Sequence, residues 1–166
     1  VAEACAPALR SGGWFLDFNS ASPGAKICAG EIVVAAGGRY VEGAVMTSIS
    51  PYRIRVPLLL GGPQAAALVP LLNALGFEGQ AGPAQLGVAS ATKMCRSVAI
   101  KGLEAMVVES FTAARAYGVE DAVLASLAET FPGIDWEQQG AYFFQRVIQH
   151  GRRRAEEMRE VAQTVR

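Results

Sequence analysis

The sequence is short of charge, cysteine and histidine, and each shortage closes off a class of function. Charged residues make up 18% of its 166 positions, below the roughly 25% of an ordinary soluble domain. Its 15 bases balance 15 acids. With no basic surplus to gather phosphates, neither a nucleic acid nor a membrane surface is an expected partner. The cysteines Cys5, Cys28 and Cys95 show no CxxC spacing and cannot all pair. That argues against a disulfide framework and fits reduced thiols in a cytoplasmic protein. A single histidine, His150, with no Cys/His cluster, leaves no expected metal site. An uninterrupted hydrophobic span is missing too. The uncharged run from Val56 to Phe77 is broken by Pro57, Gly61, Gly62, Pro63, Gln64, Pro70 and Asn73, a poor membrane crossing.

Apolar residues are plentiful, at 51% with a mean hydropathy of +0.25. This excludes a disordered chain, because so much apolar surface collapses. So little charge beside it implies surface buried against something else, as in an oligomer or a piece of a larger protein.

The first eighty residues alternate short apolar runs with turn signals. WFLDF (Trp14 to Phe18) follows Gly12-Gly13 and stops at Asn19-Ser20, as a buried strand does. Ser22-Pro23 is a helix start, and that helix is expected from Pro23 to Ala36, ended by Gly37-Gly38. Tyr40 to Met46 and Arg55 to Leu60 read as two further strands. Gly61-Gly62-Pro63 then turns into a helix reaching about Leu75, kinked by Pro70 and capped by Gly76. Such alternation is an α/β signature, with right-handed crossovers wherever strands run parallel.

From about Gly82 the pattern turns wholly helical. One apolar-periodic stretch runs from Leu86 to Tyr117, closed by Gly118, and would be roughly 45–50 Å long. A second covers Val119 to Thr130 and a third Gln138 to Val165, with Gly151 its weak point. The expected fold is therefore α/β followed by all-α. A partial Rossmann-like sheet occupies residues 1–80 and an all-α domain residues 81–166, the long helix crossing between domains or subunits. The charge run at the end reads as a solvated face with i,i+4 pairs. Three strands are few for a doubly wound sheet, and no G-x-G-x-x-G occurs anywhere. VAEACAPALR (Val1 to Arg10) looks like the tail of a helix, so the chain reads as a fragment.

Three polar signals stand where a ligand site could form. Asn19-Ser20 ends a strand, at the edge where open α/β sheets bind ligands. Lys93 follows the small-residue segment GVASAT, and Ser97, Lys101 and Glu104 share its helical stripe. A desolvated lysine, or one beside a second cation such as Lys101, can trade protons near neutral pH. Met46-Thr47-Ser48-Ile49-Ser50-Pro51 is a polar loop after the second strand. Taken singly, each is also what an ordinary turn, solvated face or loop displays.

Their order is more specific. DFNSASP, a strand with its polar loop, PLLLGG, and GVASATKMCRSVAIKGLEAMVVES together resemble the β-hydroxyacid dehydrogenase superfamily, and most closely its 6-phosphogluconate-dehydrogenase-like branch. The likeness is sharpest at Lys93 to Cys95 and Ile100 to Gly102. It implies an oxidoreductase that passes hydride between NAD or NADP and a small hydroxy acid, with Lys93 as general acid/base. It also implies that Asn19 and Ser20 lie beside nicotinamide and substrate, and that Gly87 allows close approach of the helix start to the cofactor. Thr47, Ser48, Ser97 and Lys101 would contact substrate. A homodimer through the all-α domain is implied, as is a glycine-rich half-domain upstream. Two positions depart from the pattern. Ser97 stands where many members have asparagine, and Met46-Thr47-Ser48 replaces a Ser-Gly-Gly loop. These departures leave open an alternative, a non-catalytic dimerisation or ligand-binding module on the same scaffold.

Overall fold

The computed structural model describes residues 1–165. A short helix α1 (Ala2–Cys5) and a tighter turn at Ala6–Ala8 precede strand β1 (Trp14–Asp17). Helix α2 (Pro23–Ala35) carries the chain back to strand β2 (Arg39–Val45). A helical turn α3 (Ile49–Tyr52) leads to β3 (Pro57–Gly61), and α4 (Ala65–Ala74) connects it to β4 (Glu78–Ala81). Then follow α5 (Val88–Tyr117), α6 (Glu120–Thr130) and α7 (Trp136–Thr164). None of these helices is long and apolar enough to cross a membrane.

The α/β-then-α reading of the sequence holds, with one strand more than expected. The sheet is four-stranded, in the order β1-β2-β3-β4. It is mixed: β1 and β2 are parallel, β2 and β3 antiparallel, β3 and β4 parallel. The fourth strand, EGQA, lacks β-branched and aromatic residues, so it carries no strand propensity of its own. Pairing with β3 and the Asn73 side-chain amide, which bonds the N–H and C=O of Gly79, hold it instead. At the other end, the expected helix tail before β1 is only the short α1 and the turn after it. Arg55, expected in a strand, lies in a helical turn over Arg53–Arg55.

The chain forms two compact units. Val1–Arg96, with the segment from Glu160 onward, makes one, and Ser97–Arg159 makes the other. The secondary structure changes type after β4, near residue 80, whereas compactness divides the chain within α5.

In the first unit the sheet's two faces differ in chemistry. Period-two alternation puts Trp14, Leu16, Val41, Leu58 and Leu60 on one face, where they pack with Leu68 and Leu72 of α4. The opposite face carries Phe15, Asp17, Tyr40 and Glu42. The Phe15 and Tyr40 rings stack with centroids 6.0 Å apart. The second unit has its own core of Val107, Phe111, Trp136 and Phe143. The Trp136 indole N–H donates to the carbonyl of Leu127 at 3.1 Å. Glu104, also buried there, accepts from Arg154 and faces Arg146 at 3.6 Å.

Candidate active site

The polar face of the sheet places three charges where water does not reach. Asp17 ends β1, Glu42 lies beside it on β2, and Lys26 comes from α2, each at most 7% exposed. Lys26 Nζ donates to the Asp17 carbonyl at 2.9 Å and stands 3.0 Å from its carboxylate Oδ2. The Tyr40 hydroxyl donates to that same oxygen at 2.8 Å. The other oxygen, Oδ1, receives the backbone N–H and the side-chain amide of Asn19, at 2.9 and 2.8 Å. Burial by itself would raise the Asp17 pKa. The Asn19 amide, Tyr40 and Lys26 outweigh it and hold the carboxyl below its ordinary value. Burial also lowers the Lys26 pKa, with Asp17 and Glu42 opposing. The Tyr40 hydroxyl is pushed well above its ordinary value by burial and by the carboxylates.

Glu42 serves a second purpose. Its Oε1 accepts from the N–H groups of Gly87 (2.8 Å) and Ala89 (3.2 Å). Its Oε2 accepts from the Ser90 N–H (3.2 Å) and hydroxyl (2.8 Å). The first amides of α5 have no partner within the helix, and this carboxylate supplies one in the position the helix dipole favours. Gly87 makes the arrangement possible. Its φ is +90°, and an added Cβ would lie 3.3 Å from both Pro23 and Ile27.

Of the residues singled out in the sequence, Asn19, Ser20 and Lys93 come together. Lys93 Nζ, about one turn beyond the Glu42-bound amides, donates to Ser20 Oγ at 2.6 Å. Asn19 turns its amide back onto Asp17, and Gly87 gives its N–H to Glu42. Thr47 and Ser48 are exposed. Because β1 and β2 are parallel, they leave the sheet at the edge where Asn19 and Ser20 leave it. Ser97 and Lys101 fall in the second unit, where Lys101 pairs with Glu157 at 2.7 Å.

Comparison with known proteins agrees with this architecture. Residues 114–166 match the family model of a domain of unknown function, DUF1932. A conserved hypothetical protein of Sinorhizobium meliloti shares 39% identity over 99% of this chain, with a TM-score of 0.83. The conserved protein MTH1747, of unknown function and structurally similar to 3-hydroxyacid dehydrogenases, shares 30% identity over 99% of the chain, with a TM-score of 0.81. The chain spans 58% and 61% of the lengths of these two relatives. By fold, the chain is 3-hydroxyacid dehydrogenase-like. A 3-hydroxyisobutyrate dehydrogenase of Mycobacterium tuberculosis, solved with L-serine, shares that fold over 79% of this chain and 46% of its own length, at 17% identity and a TM-score of 0.61. An imine reductase variant of Myxococcus stipitatus solved with NAD+ and a reductive aminase of Aspergillus terreus solved with NADPH share it at 21% and 20% identity, over 84% and 82% of this chain and 49% and 47% of their own, with TM-scores of 0.58 and 0.57. No curated protein matches the sequence.

Within this dehydrogenase-like fold, sequence reasoning found the lysine and the turn it meets, but missed Asp17, Lys26, Tyr40 and Glu42. A signal was present. Asp17 and Glu42 are single acids inside the apolar runs WFLDF and YVEGAV, and an acid in a buried strand needs a partner.

Proposed function

We propose that the protein carrying this chain is an NAD(P)-dependent oxidoreductase acting on a small hydroxy acid, with Lys93 as its general acid/base. One observation carries the reading: Lys93 Nζ meets Ser20 Oγ at 2.6 Å, beside the carboxyl edge of β1. In open α/β sheets that edge is where ligands bind. There a proton-transferring amine stands next to a hydroxyl that orients it.

The residues present fit one end of a nicotinamide dinucleotide. The Asn19-Ser20 turn, at the carboxyl end of β1, would hold the nicotinamide. The pyrophosphate does not fit the starts of α2 or α5. Glu42 already occupies the first amides of α5, and a Glu160 carboxylate oxygen accepts the Ser22 N–H at the start of α2, at 3.0 Å. The phosphates are then held elsewhere than at these two helix starts. When bound, the nicotinamide supplies the hydride acceptor, or the donor in the reverse direction. Lys93 takes the proton of the substrate hydroxyl at Nζ during oxidation and returns it during reduction. Thr47 and Ser48 offer hydroxyls at the same sheet edge for the substrate's polar groups. With Met46-Thr47-Ser48 in place of a Ser-Gly-Gly loop, the hydroxy acid is other than 6-phosphogluconate.

The test is Lys93→Ala in the complete protein, assayed with both nicotinamides against a panel of small hydroxy acids. Turnover is expected to fall by about 10²–10⁴-fold, the usual contribution of a positioned acid/base, while reduced-nicotinamide binding stays unchanged. Near-normal turnover refutes the role of Lys93. A wild-type protein that neither binds reduced nicotinamide nor turns over favours the non-catalytic module.

A further inference from the structure

The contact between Lys93 and Ser20 joins segments 73 positions apart, and each segment is anchored by its own buried carboxylate. Ser20 stands on the turn after β1. Asp17 grips that turn through both the main-chain and the side-chain amide of Asn19. Lys93 stands near the start of α5. Glu42 grips that start through three backbone N–H groups and the Ser90 hydroxyl.

The two anchors are not independent. Asp17 and Glu42 are cross-strand partners in the parallel register of β1 and β2, so they project from the same face of the sheet. Lys26 lies in that face at 1% exposure, bonded to Asp17 and electrostatically coupled to Glu42. Each carboxylate has donors on both of its oxygens, four in all. An ionised carboxylate so filled has little freedom to rotate or shift.

We propose that Asp17 and Glu42 are positioning residues for the Lys93–Ser20 pair, with Lys26 as their shared counter-ion. Strand pairing sets the distance between the anchors. One anchor shapes the turn that presents Ser20, and the other fixes the helix that presents Lys93. The catalytic consequence rests on the acid/base reading of Lys93, but the geometric claim does not.

The lysines of this stretch are Lys26, Lys93 and Lys101, so Lys101 serves as the internal control for Lys93. Reductive methylation of the complete protein with ¹³C-formaldehyde labels the accessible amines, and Lys93→Arg and Lys101→Arg assign the Lys93 and Lys101 resonances. The variants are Asp17→Asn and Glu42→Gln. Two milder companions, Asn19→Ala and Ser90→Ala, each remove one side-chain donor from one carboxylate without uncharging it, so they decide the matter if the first pair fails to fold. In each folded variant the Lys93 resonance is expected to move while that of Lys101 stays in place. Where the wild-type protein turns over a hydroxy acid, kcat is expected to fall about tenfold or more with KM little changed, as misplacement of a reacting group does. A Lys93 resonance at its wild-type position in a folded variant overturns the positioning role of the carboxylate concerned, whatever the turnover. A resonance that moves in a protein whose wild-type form shows no turnover upholds the positioning and overturns the acid/base reading instead.

Discussion

Replacing Lys26 by methionine removes a buried cation and leaves its hydrocarbon stem almost intact, so the loss should be electrostatic. Lys26 is 1% exposed and gives Asp17 two contacts, at 2.9 Å to the carbonyl and 3.0 Å to the carboxylate. Removing one partner of a buried ion pair costs about 3–5 kcal/mol, because the other charge is left uncompensated. Asp17 would keep the two Asn19 donors and Tyr40, which places the expected cost near the lower figure, about 3 kcal/mol. Methionine refills most of the volume, so no large cavity term adds to it. For a chain of this size, 3 kcal/mol corresponds to a fall in Tm of about 6–12 °C. The assay is urea unfolding followed by tryptophan fluorescence. Trp14 lies in β1 and Trp136 in the core of the second unit, so a Trp136→Phe background reads the sheet alone. A loss below about 1 kcal/mol, the level of an exposed pair, would refute the claim that this pair is structurally integral. A cycle with Asp17→Asn should show coupling, with the double variant less impaired than the sum of the single ones.

Three further predictions concern acid, alkali and packing. The folded pKa of Asp17 is depressed, so its stabilisation is present above the unfolded value of about 3.9 and lost as pH falls through the folded value. Asp17→Asn should therefore flatten the acid limb of the urea-midpoint profile. The folded pKa of Tyr40 is raised, so its stabilisation is present below about pH 10 and lost above it. Tyr40→Phe should flatten the alkaline limb. In the second unit, a Cβ at Gly140 would lie 2.5 Å from Phe111 Cε2. Overpacking at about 1–3 kcal/mol is partly offset by roughly 1 kcal/mol of helix propensity. Gly140→Ala is thus expected to lower stability modestly in the Trp136 signal and leave that of Trp14 unchanged.

What could be read in the sequence was what local chemistry dictates. Ser22-Pro23 marks the start of α2 because proline suits a first helical turn. Tyr40 to Met46 reads as a strand because it is mostly apolar and bounded by turn residues. Lys93 was visible because a small-residue segment precedes it. The features that escaped depend on partners distant in sequence. β4 is a strand only because β3 lies beside it. The antiparallel pairing of β2 with β3 goes with a connection too short for a parallel crossover, and that connection is coiled into helical turns between Ile49 and Arg55, where a polar loop and the start of a strand are expected from the sequence. The buried charges could be noticed singly, but their register could not. That Asp17 faces Glu42, and that Glu42 reaches an amide 45 positions on, is decided by how the strands align.

That last contact restricts which amino acids can replace one another. Gly61 pairs with Glu42 across β2 and β3, and a Cβ at Gly61 would stand 2.5 Å from the Glu42 Oε1 that holds α5. The two sites share a single allotment of space. A methyl group at position 61 is admissible only if the side chain at position 42 retracts and Ala89, whose Cβ would lie 2.8 Å away, gives way, and either movement disturbs the start of the helix. Among descendants of a common ancestor these positions should drift as a pair or remain frozen together. A lone exchange at either would mark a lineage in which α5 has found another acceptor for its first amides.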